Sequence, residues 1–188
     1  MPHYLAIGDR VQLRDGTPAD ADAYVRWLTE GEWRQYDAPW EDQNIVYTPE
    51  RLAGQRQKFL AECAQAPLDP RARALIATRD NTPIGRVTRY AHARSPHAWC
   101  VGIDICEDAY LNRGLGTQAL GLWVDYLFTH STIHRLGLDT WSLNPRMRRV
   151  AAKVGFVYEG AQRQLLEWQG EWLDLLHFGM LRSEWEQR

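Results

Sequence analysis

One short stretch of the sequence has spacing that is typical of a phosphate-binding loop. Residues 111–120 read LNRGLGTQAL, so that Gly114, Gly116 and Ala119 fit the pattern G-x-G-x-x-A of dinucleotide-binding folds. Asp139 follows Gly114 at a distance suited to an acidic residue that meets a ribose hydroxyl. Glycines let the backbone approach a ligand closely, and the free N–H groups at a helix start bind anions. The first interpretation is therefore a nucleotide-phosphate site.

The surroundings of this glycine loop argue against a dinucleotide fold. The apolar strand before the loop ends near Ile105, and the polar residues CEDAYLNR separate that end from Gly114. A dinucleotide fold places its first glycine directly after its first strand. Only 49 residues follow Asp139, too few to complete a doubly wound domain, and no Gly-Lys-Ser/Thr makes a P-loop. Two alternatives remain, a loop that binds a pyrophosphate and a tight turn without a ligand.

Local patterns predict the elements that must position this loop. Alternating apolar residues, turn residues and helix-capping residues give the order β-α-α-β-β-β-α-β-α-β-β, with no internal repeat or linker. The loop opens a helix with apolar residues at helical spacing, and a second helix is predicted from the cap Asn144 to Gly155. The other predicted elements are a strand at 11–13, helices starting at 17–18 and 48–49, a hairpin turning at 80–83, and strands at 99–105, 134–141, 156–158 and 173–181.

Composition predicts one ordinary globular domain over residues 1–188. Hydrophobic residues make up 45% and charged residues 24%, and the net charge of −2 favours neither nucleic acid nor an acidic membrane as a partner. No signal peptide and no apolar run of about 20 residues is evident, so we expect a cytoplasmic protein. Cys63, Cys100 and Cys106 lack the spacing of a zinc site, which predicts reduced thiols and no metal.

A second segment combines acidic and aromatic residues. Residues 30–42 read EGEWRQYDAPWED. Carboxylates beside aromatic faces suit a cationic ligand through ion pairing and cation–π contact. The alternative is a surface loop whose aromatic rings cover the edge of the core. The candidate acceptor-binding residues are Glu32, Trp33, Tyr36, Asp37 and Trp40.

Three motifs resemble the GNAT superfamily of acetyl-CoA-dependent N-acetyltransferases. The glycine loop is similar to the family's pyrophosphate motif Q/R-x-x-G-x-G/A, with Leu111 in place of Gln or Arg. The segment NPRMRRVAAKVGFVYEG resembles the family's Asn-helix-Gly-Phe-x-x-Glu-Gly signature. The C-terminal residues Arg163, Gly170, Asp174 and LRSEW are similar to the RimJ/RimL-like subgroup and its polyamine-acetylating relatives. The resemblance runs from about Asp9 to Trp185.

The resemblance implies an α/β fold of the α+β type, a twisted mixed sheet flanked by helices, whose central strands splay apart around the pantetheine arm of coenzyme A. Asn144 is then expected to reach the pantetheine or the reaction centre, a role compatible with a simple N-cap. Arg149 could meet phosphate charge or belong to a solvated arginine face. The remaining implied cofactor residues are Ile103, Asp104, Ile105 and Cys106 at the pantetheine, and Asn112, Arg113, Gly114, Leu115, Gly116 and Thr117 at the pyrophosphate.

The proton-transfer residues do not carry over from the family. Many members have a Tyr seven residues after the Asn, and here that residue is Ala151. Tyr110 and Ser142 are the nearest substitutes as general acid. Asp104 and Glu107 are candidates as base, and a structural hydrogen bond would explain Asp104 equally well.

The expected function is acetyl transfer from acetyl-CoA to a primary amine, either a protein N-terminus or a small polyamine-like molecule. Alternatives are an aminoglycoside-type N-acetyltransferase and a non-catalytic acyl-CoA sensor, which Ala151 keeps open. The partners expected are such an amine or protein N-terminus, with no nucleic acid and no membrane, and a homodimer is left open.

Overall fold

A computed structural model describes residues 2–65 and 68–188, and its centre is one eight-stranded sheet. The strand order is β1-β2-β3-β4-β5-β6-β8-β7, and neighbours pair antiparallel except β5 and β6, which are parallel. The mixed sheet confirms the predicted fold class. The strands are β1 Tyr4–Ile7, β2 Val11–Arg14, β3 Arg73–Thr78, β4 Pro83–Ala91, β5 Ala98–Ile105, β6 Arg135–Trp141, β7 Val157–Trp168 and β8 Glu171–Leu181.

Helices cover both faces of the sheet. Alternate residues of β3 join two different clusters, since Ala74 and Ile76 pack with α4 whereas Leu75 packs with α1 and α3. Helix α4 is the most buried, with Trp123 and Leu127 fully inaccessible to solvent. In the described part of the chain, no helix has the length and apolar character needed to cross a membrane. The helices are α1 Ala21–Trp27, α2 Pro39–Asp42, α3 Pro49–Cys63, α4 Leu115–Thr129, α5 Pro145–Val154 and α6 Arg182–Trp185.

Capping residues define the predicted helix starts. The Thr48 hydroxyl accepts a hydrogen bond from the Arg51 N–H at the start of α3. The helix predicted at residues 17–18 begins instead as a 3₁₀ turn, Pro18–Asp20, that continues into α1. Sequence patterns did not reveal β1, α2 or α6, because each has only four residues and too short an apolar period to detect.

The sheet opens between β5 and β6. Their parallel pairing covers only three residue pairs, from Ala98–Arg135 to Cys100–Gly137. Beyond that point β5 continues to Ile105 and remains paired with β4, while β6 continues to Trp141 paired with β8. The two central strands therefore diverge, as the resemblance implied.

Candidate functional site

A cavity of about 430 Å³ lies where β5 and β6 diverge, and residues from both faces of the sheet line it. Ile103 and Ile105 belong to the α4 side, where they pack against the main core. Asp104 belongs to the opposite face, beside its register partner Arg86 on β4. The lining therefore extends to both faces of the sheet, and we call the part of the cavity at each face a mouth.

The glycine loop lies at the mouth on the α4 side, where Leu111 and Gly116 line the cavity. Asn112 and Gly114 both have left-handed backbone, with φ of 58° and 77°, and α4 begins at Leu115. The N–H groups of the first helical turn have no intrahelical acceptor, and they open toward an anion. Gly116 lines the cavity, and a Cβ placed on it would lie 3.5 Å from the Ile105 side chain. Gly116 thus preserves open space between the helix start and β5.

Asn144 lies on the cavity wall and also caps α5. Its side-chain Oδ1 accepts a hydrogen bond from the Met147 N–H at 2.9 Å. The capping interpretation is confirmed, and the side-chain amide nitrogen remains as a donor at the cavity. Cys106 directly follows β5 and, unlike residues 103–105, does not line the cavity. Its N–H donates to the Ile84 carbonyl at 2.8 Å.

Further predicted site residues also lie outside the cavity lining: Tyr110, Ser142 and Arg149, together with Asn112, Arg113, Gly114, Leu115 and Thr117 of the glycine loop. Ser142 lines a second cavity of about 690 Å³ together with Arg149, and its hydroxyl accepts from the Asp174 N–H at 3.1 Å. Tyr110 packs against the core, and the Arg113 guanidinium lies 6.0 Å from its ring centre. Thus Ser142, Arg149 and Tyr110 are not among the groups that surround the opening between β5 and β6.

Two carboxylates and one guanidinium face each other on the other side of the sheet. The Arg86 Nε lies 2.9 Å from an Asp104 carboxylate oxygen, and its Nη2 lies 3.8 Å from one of Asp37. The same guanidinium lies 5.0 Å from the Trp33 ring centre. Burial and the nearby Asp104 charge raise the pKa of Asp37 to about 6. Burial also raises the pKa of Asp104, and the ion pair with Arg86 opposes that rise.

The rest of the acidic aromatic segment, residues 30–42, is anchored rather than open. The Glu32 carboxylate accepts from Arg146 of α5 at 2.7 Å, and that guanidinium lies 5.1 Å from the Tyr36 ring centre. Trp40 lies outside the cavity lining, with its ring edge-on to Trp141 at 4.8 Å. Hence Trp33, Tyr36 and Asp37 line the cavity, whereas Glu32 and Trp40 hold the segment in place.

Four further residues with ionisable side chains line the cavity: Arg86, Tyr90 and Arg146, which the sequence did not single out, and Asp139, which it had suggested only as a ribose partner. Burial raises the pKa of the Tyr90 phenol to about 12, so it keeps its proton at neutral pH. One Asp139 oxygen lies 2.8 Å from His177 Nδ1. The alternation of β4, which puts Arg86 and Tyr90 on one face, is a sequence signal for these two residues only.

Glu107, the second candidate base, already has two partners. Its carboxylate accepts from the Trp27 indole N–H at 2.7 Å and pairs with Arg26. Over residues 2–65 and 68–188, no three His, Cys, Asp or Glu side chains are grouped as metal ligands. Cys63, Cys100 and Cys106 are free thiols.

Curated relatives are N-acetyltransferases. "Probable N-acetyltransferase YjcK" of Bacillus subtilis is 32% identical over 113 residues, which are 60% of this chain and 62% of that protein. "Uncharacterized N-acetyltransferase YnaD" of the same organism is 25% identical over 168 residues, covering 84% of this chain and 94% of that protein. The first of these matches thus spans less than two thirds of the relative's length.

Solved structures share the fold at low sequence identity. A GNAT-family acetyltransferase from Bacillus anthracis superimposes with a TM-score of 0.74 at 19% identity, covering 98% of this chain and all of that one. Spermidine N-acetyltransferase from Vibrio cholerae, in complex with CoA and spermine, gives 0.71 at 18% identity over 94% and 98% of the chains. RimL, a ribosomal L7/L12 α-N-protein acetyltransferase in complex with CoA, gives 0.71 at 16% identity over 97% and 99%.

A family model described as the acetyltransferase (GNAT) domain matches residues 10–157, which include the glycine loop, the diverging strands and α5. The chain therefore belongs to the GNAT family of acetyltransferases.

Proposed function

We propose that this protein transfers an acetyl group from acetyl-CoA to a primary amine. The observation that carries the proposal is the cavity between the diverging strands β5 and β6, which is lined by residues from both faces of the sheet. One mouth is built from a glycine loop and a helix start, which suit an anion, and the other from carboxylates and aromatic rings, which suit an amine. Two substrates can therefore meet inside the sheet from opposite sides.

The α4 side fits the diphosphate and pantetheine of the coenzyme. The loop 112–117 would hold the diphosphate through backbone N–H groups and the positive end of α4. Backbone groups of Ile103 and Ile105 lie on the β5 edge that β6 has left, and they are available to an extended amide chain, whereas the Asp104 backbone faces β4. Acetyl-CoA supplies an acetyl group activated as a thioester.

The opposite side fits a cationic acceptor. Asp37, Asp104 and Asp139 line this part of the cavity, with Arg86 and Arg146 as the cations among the lining residues. We assign Asp37 as the proton acceptor, because its pKa of about 6 leaves a carboxylate at neutral pH that is still basic enough to take a proton. Asp104, held by Arg86, positions that guanidinium between the two carboxylates.

Two sets of observations favour different classes of acceptor amine. The C-terminal motif and the similarity to RimL favour a RimJ/RimL-like enzyme that acetylates a protein N-terminus. The excess of carboxylates and the similarity to spermidine N-acetyltransferase favour a small polyamine. We propose that the acceptor is a primary amine on a positively charged molecule. An aminoglycoside is a third candidate of this kind.

The test is thiol release from acetyl-CoA with a matched panel of amines. The panel contains spermidine, a short peptide with a free N-terminus, the same peptide with a blocked N-terminus, and an aminoglycoside. We expect turnover with at least one free amine and none with the blocked peptide, and mass spectrometry of the product locates the acetyl group. CoA binding with no turnover on any of these amines would contradict the proposal.

A further inference from the structure

The turn between β1 and β2 contacts the glycine loop across the N-terminal end of α4. The Gln118 side-chain oxygen accepts from the N–H groups of both Arg10 and Val11, each at 2.9 Å. The Arg10 Nη1 in turn donates to the Arg113 carbonyl at 2.8 Å. These three hydrogen bonds join residues more than 100 positions apart, and none of them is part of the sheet ladder.

The turn is shaped to allow this contact. A Cβ placed on Gly8 would lie 3.0 Å from both the Gln118 and Leu122 side chains, closer than such atoms normally approach. The absence of a side chain at Gly8 therefore lets Gln118 reach over the turn. Its amide satisfies two backbone donors that β1–β2 pairing leaves free, which fixes the position of Arg10 relative to α4.

The carbonyl that Arg10 binds lies at the point where the loop changes direction. The residues on either side, Asn112 and Gly114, are left-handed, and turns that contain such residues can form a concave site for an anion. In a trans peptide unit the C=O and the following N–H point in opposite directions. Holding the Arg113 carbonyl toward Arg10 therefore directs the Gly114 N–H away from Arg10.

We propose that Arg10 is a positioning residue for coenzyme binding: by holding the Arg113 carbonyl, it fixes the peptide plane that presents the Gly114 N–H to the diphosphate. This inference rests on the proposed use of the loop for acetyl-CoA. It assigns Arg10 no contact with the amine acceptor and none with the reacting atoms. Without Arg10, the 113–114 peptide is free to rotate, and the loop must be reordered each time the ligand binds.

The test compares two ligands and two substitutions. Arg10→Met removes the donor and keeps an apolar stem, whereas Arg10→Lys keeps a donor and the charge. The ligands are CoA, which carries the diphosphate, and pantetheine, which does not. We expect Arg10→Met to weaken CoA binding about tenfold, as for the loss of one hydrogen bond from a charged group, and to leave pantetheine binding unchanged. Arg10→Lys should restore most of the CoA affinity. Arg163→Met, an exposed arginine on β7, is the control.

Hydrogen exchange of the unliganded protein distinguishes a positioning role of Arg10 from an effect of its charge alone. If Arg10 holds the loop, amides in residues 112–117 exchange faster in Arg10→Met than in the wild type, while exchange in α5 stays the same. Weaker CoA binding with unchanged loop exchange would overturn the inference, because Arg10 would then act through its charge alone. Unchanged CoA affinity in Arg10→Met would overturn it as well. Wild-type protein that fails to bind CoA would instead refute the proposed function.

Discussion

Replacing Gly116 with a larger residue tests the coenzyme side of the cavity directly. An added Cβ lies 3.5 Å from Ile105 and 3.9 Å from Ile103, both ordinary contact distances, so Gly116→Ala fits without displacing β5. Gly116 is helical, and alanine there should raise the free energy of unfolding by about 0.5–1 kcal/mol. Leucine at the same position extends beyond the contact distance into the cavity and fills the space beside the helix start.

The expected loss of affinity follows from the backbone donors that leucine would block. Hydrogen bonds to a charged group contribute about 1.5 kcal/mol each at the lower end, so losing two costs about 3 kcal/mol, or roughly 100-fold in Kd. Calorimetric titration with CoA measures the change, and thermal melting shows that the protein remains folded.

Gly121 supplies the matched control for this substitution. It lies on the same helix, and an added Cβ there meets no atom within 4 Å. Gly121→Leu should therefore bind CoA like the wild type. A folded Gly116→Leu protein with wild-type CoA affinity would refute the assignment of the loop.

Three further predictions concern the acceptor side and α5. The rate of acetyl transfer should fall as the pH drops through about 6, because only the ionised Asp37 accepts a proton. Asp37→Asn should remove this limb of the pH–rate profile. A limb that persists in Asp37→Asn would exclude Asp37 as the base. Tyr90 lines the cavity and Ser142 does not, so Tyr90 is the better placed of the two to protonate the leaving thiolate. Tyr90→Phe should therefore lower kcat about 100-fold, whereas Ser142→Ala should leave kcat within about twofold. Steady-state kinetics with the reverse order of effects would assign the general acid to Ser142. Asn144→Ala should lower the free energy of unfolding by about 1 kcal/mol and Tm by about 2–4 °C, while Asn144→Asp should preserve the helix cap. Equal melting temperatures of Asn144→Ala and the wild type would show that the hydrogen bond from Met147 contributes little.

Features of the fold that depend on neighbouring residues could be predicted from the sequence. Helix α5 begins after Asn144 and ends at Gly155, whose φ of 95° explains the glycine, and both signals lie within a few residues of the boundary. The glycine loop is similarly local. The divergence of β5 and β6 could not be predicted in this way, since no residue pattern in either strand encodes it. Only the resemblance to the family predicted it.

The partners of the acidic aromatic segment depend on contacts distant in sequence. Glu32 and Asp37 are both acidic and both lie beside aromatic residues, so no local pattern distinguishes their roles. Arg146, 114 positions away, pairs with Glu32, whereas Asp37 faces Arg86 at 3.8 Å inside the cavity. One carboxylate thus anchors the segment and the other remains available to an acceptor. Pairings of this kind depend on how α5 and β4 pack against the segment, and local patterns do not report that.

Strand alternation lets one short stretch of sequence face the sites of both proposed ligands. On β5, Ile103 and Ile105 belong to the α4 side of the sheet, while Asp104 between them faces Arg86 on the other. A substitution at Asp104 should therefore affect the acceptor before the coenzyme, and one at Ile105 the reverse. Asp139 on β6 follows the same logic. Its spacing from the glycine loop suggested a ribose partner, yet Asp139 lines the cavity and its carboxylate contacts His177, which places its charge on the side of the proposed amine.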